Sequence, residues 1–216
     1  MKDTHLKRRD LIRAASALAA VTAAQAVSGA TPTPAQTEGP FYPKRPQDDT
    51  DLDLTQVEGR EGTAQGEPVR VTGRVVDENG EPVAGARVDV WQANAAGRYD
   101  HEDDPNPAPL DPNFQGWGIL KTDAEGRFAF RTIRPGAYAV GNGWSRPPHI
   151  HFKVARRGYH ELTTQMYFAG DPLNETDRIL QAVPVPDRGR LVVDFAATDG
   201  DPAGHFDIVM GVVKPA

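Results

Sequence analysis

The 216-residue sequence has no cysteine, which excludes disulfides, thiolate metal sites and a cysteine nucleophile. Any metal must therefore bind nitrogen and oxygen ligands. Internal repeats are absent, and no apolar run approaches the roughly 20 residues that a membrane-spanning helix needs. Beyond residue 26 basic residues do not cluster, which argues against a nucleic-acid partner. Glycine and proline are abundant instead, with 21 and 19 residues, and predict many turns and a mostly β fold with long loops.

The first 30 residues predict a targeting signal. A basic segment containing Arg8-Arg9 precedes an alanine-rich apolar run from Ala14 to Val27, and Ala24-Gln25-Ala26 is a small-residue cleavage pattern. Together these features are typical of a twin-arginine signal, with a Sec signal or an uncleaved amphipathic anchor as alternatives. We expect export to the periplasm or the extracellular space. Loss of residues 1–26, which hold five basic and two acidic side chains, would change the net charge from −6 to −9.

Two further segments follow the signal. Residues 31–68 predict an extended arm, which the aromatic cluster at 37–43 would anchor, either as a plug between loops or as a lip of an active site. Residues 69–216 predict an all-β domain, an antiparallel β-sandwich with long active-site loops. Alternating patterns predict seven or eight strands, including 69–75, 86–91, 127–131, 149–154, 162–168, 191–195 and 206–213. Only 177–181 predicts a helical turn.

A long insertion at 92–120 interrupts this rhythm of strands. Loops of this length in a compact domain are usually functional. Its acidic run at 100–104 could bind calcium, but the spacing does not match an EF-hand loop. The favoured interpretation of the run is a solvated surface.

The segment 149–154 carries a candidate metal site. A strand places side chains on alternate faces, so His149, His151 and Lys153 share one face, opposite an apolar stripe at 150, 152 and 154. Two neighbouring imidazoles can bind one metal ion, although a solvated strand face would explain them equally well. Tyr99 and Tyr138 each follow a turn, where a loop presents the phenol. Composition alone favours packing roles for both.

Several motifs, in order along the chain, resemble the intradiol ring-cleavage dioxygenases. They are Trp91-Gln92-Ala93-Asn94-Ala95-Ala96-Gly97-Arg98-Tyr99, Leu110-Asp111-Pro112-Asn113-Phe114, Phe130-Arg131-Thr132-Ile133-Arg134-Pro135-Gly136-Ala137-Tyr138 and Arg146-Pro147-Pro148-His149-Ile150-His151-Phe152. The segments 37–43 and 164–168 match as well. The likeness runs from about residue 37 to 168 and is nearest to the iron-bearing, beta-type subunit of the protocatechuate 3,4-dioxygenases.

The resemblance implies one ferric ion, with hydroxide as its fifth ligand. The protein ligands that it implies are Tyr99, Tyr138, His149 and His151. Two phenolates and a hydroxide balance three positive charges, so such a site is neutral and can be buried. The implied reaction inserts both atoms of O2 between the two hydroxylated carbons of a catechol and gives a cis,cis-muconate-type diacid. In this family the catechol binds as a dianion and displaces the tyrosine that matches Tyr138.

Two further residues match pocket residues of the family. Arg146 matches an arginine that steadies negative charge on the substrate, and Gln165 matches a hydrogen-bonding residue. The segment 139–145 is shorter than in the protocatechuate enzymes, and Val140 replaces a pocket aromatic. The substrate therefore stays open among protocatechuate, catechol, hydroxyquinol and substituted relatives, and a homo-oligomer is possible. The lack of a helical N-terminal dimerisation domain argues against the catechol 1,2-dioxygenase subgroup.

Two other interpretations compete with this one. An exported, non-catalytic Ig-like or transthyretin-like sandwich module would have the same turns and strands. A zinc or copper hydrolase could use His149 and His151, but the motif offers no carboxylate as a third ligand.

Overall fold

The computed structural model describes residues 29–45 and 51–214, which are mostly β-structure. The strands are β1 (Pro68–Asp77), β2 (Arg87–Trp91), β3 (Trp117–Lys121), β4 (Arg127–Ile133), β5 (Tyr138–Gly141), β6 (Trp144–Arg146), β7 (His149–Ala155), β8 (Leu162–Phe168), β9 (Val192–Val193), β10 (Phe195–Ala196), β11 (Ala203–His205) and β12 (Ile208–Met210). A 3-10 helix (Pro172–Glu175) precedes α1 (Arg178–Gln181) and α2 (Val185–Arg188). The signal predicted at 1–30 lies outside the described residues except for its last two positions. No helix in the described ranges is long and apolar enough to span a bilayer.

The strands form two five-stranded sheets and one hairpin. In the first sheet β1 pairs antiparallel with β4 and parallel with β11 and β12, while β10 borders β11. The second sheet has the order β3-β2-β7-β8-β9, and β5 pairs with β6. The mostly β prediction is confirmed, but purely antiparallel pairing was wrong, since β8 and β9 also run parallel. Side-chain alternation reports the face that a residue occupies and not the direction of the neighbouring strand.

The hydrophobic core lies between the two sheets. Phe152 of β7 meets Phe128 of β4 and Phe206 across this core, with ring centroids 6.1 and 5.0 Å apart. Ile150 and Val154 are fully buried on the same side of β7, so the predicted apolar stripe is confirmed. Full burial of one such side chain stabilises the fold by about 1.5–3 kcal/mol.

Several element boundaries differ from the sequence prediction. Strand β3 lies inside the predicted insertion, which shortens the loop to 92–116. The strand expected at 191–195 is divided into β9 and β10, and that expected at 206–213 contains only β12. The helical turn at 177–181 is confirmed as α1, but the 3-10 helix and α2 were missed. Both carry proline in their first turn, a position that helices tolerate but that resembles a turn signal.

The described part of the arm covers the outer face of the second sheet. Gln165 Nε2 on β8 donates a hydrogen bond to Thr37 O at 2.9 Å. The Tyr42 ring meets Trp91 edge-on, with centroids 4.9 Å apart, and Lys153 Nζ lies 4.9 Å from the centre of the same tyrosine ring. Because of this cover, the two histidines of β7 are only 2% and 3% exposed although they face away from the core.

Candidate active site

One surface of the second sheet carries the candidate residues of β7 and β8. Trp91 of β2 pairs with His151, and His151 pairs in turn with Gln165. His149, two positions earlier on the same face, pairs with Tyr167. The Trp91 and His151 rings stack with centroids 4.7 Å and planes 13° apart. The period-two pattern therefore brings both imidazoles to one covered surface.

Two loops that touch through their backbones carry the candidate tyrosines. Gly136 N donates to Asn94 O at 2.9 Å. A Cβ at Gly97 or at Gly136 would lie 2.4 Å from a backbone oxygen of the other loop. Glycine is required at both positions by space, and at Gly97 also by a φ of +77°. The close approach sets the ring of Tyr99 against that of Tyr138, with centroids 5.7 Å apart.

The Tyr99 hydroxyl lies between the two histidines. Its oxygen is 3.3 Å from His149 Nε2 and 3.1 Å from His151 Nε2. His149 Nδ1 lies 2.6 Å from Pro147 O, and a carbonyl can only accept, so Nδ1 carries the proton and the Nε2 of the neutral ring presents a lone pair. The Tyr99 oxygen and the two Nε2 atoms are thus three potential electron-pair donors that lie close together.

Tyr138 and Phe41 complete the surroundings of this cluster. Tyr138 is the first residue of β5, whereas the sequence predicted a loop position, and its ring lies 5.8 Å from that of His149. Phe41 of the arm packs on the Tyr99 ring at 4.9 Å, so the aromatic cluster of the arm borders the site. The structure therefore brings all four residues of the predicted ligand set together.

Burial sets the protonation states of these four side chains. It lowers the pKa values of His149 and His151 well below their usual range, and the charge of Arg146 adds to the effect. It raises the pKa of Tyr99 well above its usual value. Burial also raises the pKa of Tyr138, an effect that the charge of Arg146 opposes. The imidazoles are neutral and ready to bind a cation, which would replace the phenolic protons and offset the buried phenolate charge.

The donor spacing fits a single metal ion. Two ligands at about 2.1 Å from one metal and near a right angle to each other are separated by about 3 Å. The Tyr99 oxygen lies 3.3 and 3.1 Å from the two Nε2 atoms. The described residues contain no group of three or more histidine and carboxylate side chains that could hold a metal. The neighbours of the paired imidazoles are phenols, and anionic oxygen together with imidazole suits a hard ferric ion.

A buried hydrogen-bond network holds Arg146 beside the cluster. Its Nε donates to Asp177 Oδ2 at 2.6 Å, and its Nη2 donates to Gln165 Oε1 at 2.6 Å and to the Tyr167 hydroxyl at 3.3 Å. Arg146 is 4% exposed and Gln165 is fully buried. Arg146 also pairs with Tyr138 across the β5–β6 hairpin. The structure therefore places both predicted pocket residues next to the four donors.

Sequence reasoning missed two members of this network. Tyr167 shares a strand face with Gln165, and the period of two could have identified it. Asp177 was noticed only as the start of a helical turn, because no sequence pattern connects it with Arg146.

His101, Glu102 and Asp103 of the insertion bind partners other than the four donors. His101 packs against Phe41, with centroids 5.7 Å apart, and its Nδ1 accepts a hydrogen bond from Asp103 N at 3.1 Å. Glu102 and Asp103 are exposed and pair with Lys44 at 3.1 and 2.6 Å. Glu102 and Asp103 agree with the solvated surface predicted for the acidic run, whereas Asp104 is half-buried and accepts a hydrogen bond from Tyr99 N at 2.7 Å.

Comparisons with known proteins agree on one group of enzymes. A family model described as Dioxygenase matches residues 37–211. The beta chain of protocatechuate 3,4-dioxygenase from Burkholderia cepacia is 49% identical over 179 residues, which are 79% of this chain and 76% of that protein. A similar solved structure is the dioxygenase domain of a dioxygenase and carbohydrate-binding protein fusion from Streptomyces sp. SirexAA-E. It is 32% identical, has a TM-score of 0.63, and the match covers 85% of this chain and 100% of that chain. The structure of 3-chlorocatechol 1,2-dioxygenase from Rhodococcus opacus 1CP is 27% identical with a TM-score of 0.67, covering 84% of this chain and 73% of that one.

Proposed function

This chain belongs to the intradiol ring-cleavage dioxygenases, enzymes that cleave a catechol-type ring between its two hydroxylated carbons with O2, and on that premise we propose that it binds one ferric ion. The proposed ligands are Tyr99, Tyr138, His149 and His151. The observation that carries the proposal is the Tyr99 oxygen within 3.3 Å of both imidazole Nε2 atoms in a buried site. Membership of the family favours this reaction over a non-catalytic sandwich module and over a zinc or copper hydrolase.

The chemistry that a bound ferric ion supplies is Lewis acidity, which favours the ionised oxygens of phenols and of a catechol. The protein supplies a covered site from which the arm and the second sheet exclude bulk water. In that setting two phenolates would compensate two of the three metal charges, a hydroxide would compensate the third, and the neutral imidazoles would add none. The donor set is thus matched to a trivalent ion in a buried position.

We assign Tyr138 to proton exchange with the substrate. Tyr99 is 3% exposed, whereas Tyr138 is half-buried at the start of the β5–β6 hairpin. Burial raises the pKa of Tyr138, and the charge of Arg146 opposes that rise. With a ferric ion bound, Tyr138 would be a phenolate, whose oxygen could take a proton from an incoming catechol hydroxyl and become a neutral phenol.

Arg146 stabilises negative charge on the bound ring. Its Nε and Nη2 are engaged by Asp177, Gln165 and Tyr167, while Nη1 takes part in none of these three bonds. A guanidinium with a fixed direction next to developing negative charge stabilises that charge more strongly in a buried site than in water. Arg146 therefore assists the step in which the electron-rich ring reacts with O2.

The substrate class we propose is a catechol-type diol, with protocatechuate as the first compound to test. Support for that choice comes from the 49% identical relative, which is named for protocatechuate. The short hairpin loop and the half-exposed Val140, at 50%, leave room for other substituents. Catechol and hydroxyquinol belong in the same panel.

The test is a spectral titration of the iron-loaded chain. Phenolate ligands give a ferric ion a visible absorption band, so the loaded protein should be coloured and the band should shift when a catechol is added without oxygen. With labelled O2, both labelled atoms should appear in the diacid product. A colourless iron-bound protein, or a product with one labelled atom, would contradict the proposal. His149→Ala should abolish the colour, whereas the exposed His160, replaced by alanine, should leave it unchanged.

Export through a twin-arginine signal is a separate proposal. It is supported by Arg8-Arg9 and the apolar run that follows. Replacement of both arginines by lysine should leave the full-length chain in the cytoplasm of a host with a twin-arginine system. An unchanged distribution between the cell fractions would refute this route.

A further inference from the structure

We propose that Asp177 is a positioning residue for this reaction, because its carboxylate fixes the direction of the Arg146 guanidinium and ties it to the first turn of α1. The inference rests on the proposed function. It assigns a role to a residue outside the four donors and outside the family motifs found in the sequence.

The two oxygens of Asp177 have different partners. Oδ2 accepts the hydrogen bond from Arg146 Nε at 2.6 Å. Oδ1 accepts from Ile179 N at 3.1 Å and from Leu180 N at 2.7 Å, as the N-cap of α1. Asp177 is fully buried and Arg146 is 4% exposed. The carboxylate is thus fixed by two backbone amides before it contacts the guanidinium.

A guanidinium is planar and its donors keep fixed relative directions. Asp177 holds its Nε edge, and Gln165 and Tyr167 hold its Nη2. The Arg146 Cζ lies over the Trp144 ring, 5.9 Å from the indole centroid. With these contacts in place, rotation of the guanidinium would break a charge-assisted hydrogen bond between buried groups.

Asp177 also supplies the counter-charge of Arg146. A buried cation without a partner is strongly unfavourable, and among the described residues Arg146 forms its ion pair with Asp177. Without the carboxylate charge, the guanidinium of Arg146 would keep its positive charge in the pocket but would no longer be held in one orientation. Attraction of an anionic catechol should then persist, whereas alignment with the reacting ring should not.

Asp171 provides a matched control six positions earlier. Its Oδ1 accepts from Leu173 N at 3.0 Å as the cap of the 3-10 helix, and its Oδ2 accepts from Arg134 Nη2 at 3.1 Å. The arrangement is similar, since one carboxylate oxygen caps a helical turn and the other accepts from an arginine, although this pair is more exposed. Arg134 lies over the Phe168 ring at 5.0 Å rather than beside the four donors. Asparagine keeps a capping oxygen, so Asp171→Asn should test the loss of a capping charge and of an ion pair without an effect on the site.

The experiment is a double-mutant cycle on the iron-loaded full chain with Asp177→Asn, Arg146→Ala and the double variant. The turnover rate is measured with protocatechuate per iron centre, and KM is measured alongside. Asp177→Asn should lower kcat by about 10- to 100-fold, the range for residues that orient a reactive group, with KM changed less than about threefold. In the Arg146→Ala background it should have no further effect on kcat. Asp171→Asn should leave kcat within about twofold of wild type.

Two additional measurements separate positioning from folding. Asp177→Ser keeps a hydroxyl at the N-cap and removes the carboxylate, so it should show the same kcat loss as Asp177→Asn. Both variants should melt at lower temperature because Arg146 loses its buried counter-charge, so kcat is compared well below the melting transition of each variant. In the metal-free protein, the Arg146 Nε–H resonance should exchange slowly with solvent in wild type and rapidly in both Asp177 variants.

An active wild type whose Asp177 variants keep full kcat would overturn this inference alone. The inference would also be overturned if Asp177→Asn lowered kcat equally in the wild-type and the Arg146→Ala backgrounds. A wild-type protein that binds iron but cleaves no catechol would overturn the proposed function and this inference together.

Discussion

At the scale of single residues, Tyr99 is the donor on which the site depends most. Its oxygen is within 3.3 Å of both imidazole nitrogens, and phenylalanine would remove it with little change in volume. Tyr99→Phe should lower iron affinity by at least about tenfold and weaken the visible band. Iron content after gel filtration and the absorbance per protein measure this effect. The matched variant Tyr159→Phe, remote from the donors, should retain both, and equal iron content in the two variants would remove Tyr99 from the ligand set.

Tyr42 should titrate at unusually high pH. Burial, together with a hydrogen bond to Asp89 Oδ2 at 2.6 Å, raises the pKa of Tyr42 from 10.0 to about 12. The folded state therefore keeps a proton that the unfolded chain loses, and docking of the arm loses stability as pH rises from 10 towards 12. The difference between ultraviolet titrations of wild type and Tyr42→Phe should show a step near the upper value.

The control for this titration is Asp89→Asn. It removes the charge that helps to hold the proton, so the step of Tyr42 should move towards lower pH. A wild-type step near 10, or a step that Asp89→Asn leaves in place, would show that the contact does not form in solution.

At the scale of elements, the contact between the two tyrosine loops sets the site. A Cβ at Gly136 would lie 2.4 Å from a backbone oxygen of the neighbouring loop. Gly136→Ala should lower the free energy of unfolding by about 1–3 kcal/mol, as overpacking does, and should weaken iron retention by moving Tyr99 and Tyr138 apart. Denaturant unfolding and iron content measure the two effects.

Gly189→Ala is the comparison for that substitution. Nothing lies within 4 Å of a Cβ at Gly189, and its φ of −58° suits alanine. Stability and iron content should stay close to wild type. Equal behaviour of the two variants would mean that the loop contact does not position the tyrosines.

The elements also show what local sequence can predict. The alternation along β7 correctly separated Ile150 and Phe152 from His149 and His151, because the face of a strand residue is a local property. The pairing of β1 with β11 and β12 was not predictable in this way, since their direction depends on chain far away in sequence.

The sequence identified those site residues that lie within a motif of the family. Tyr99 and Tyr138 were singled out through the resemblance, since a turn followed by a phenol is not specific. Asp177 was missed because its contact with Arg146 arises only when α1 folds against the β5–β6 hairpin. Burial of both histidines depended on the arm, whose path over the sheet carries no sequence signal beyond its aromatic residues.

At the scale of the whole molecule, the proposed ligands join distant parts of the chain. Tyr99 lies in the loop that follows β2, Tyr138 lies in β5, and the two histidines lie in β7. A bound ion therefore links segments that separate on unfolding. Removal of iron with a chelator should lower Tm, because a ligand at 100 times its Kd stabilises the native state by about 2.7 kcal/mol. Each kcal/mol corresponds to about 2–4 °C for a chain of this size. In His149→Ala the melting temperature should not respond to the chelator.

The parallel pairing of β1 has a consequence for synthesis of the protein. Thr72 Oγ1 donates to Gly204 O, 132 positions later, so a ribosome completes most of the domain before β1 gains its neighbours on that side. Until then the nascent chain presents free backbone donors and acceptors to other nascent chains. Slow translation and low expression temperature should raise the soluble yield, and fragments that stop before β11 should aggregate.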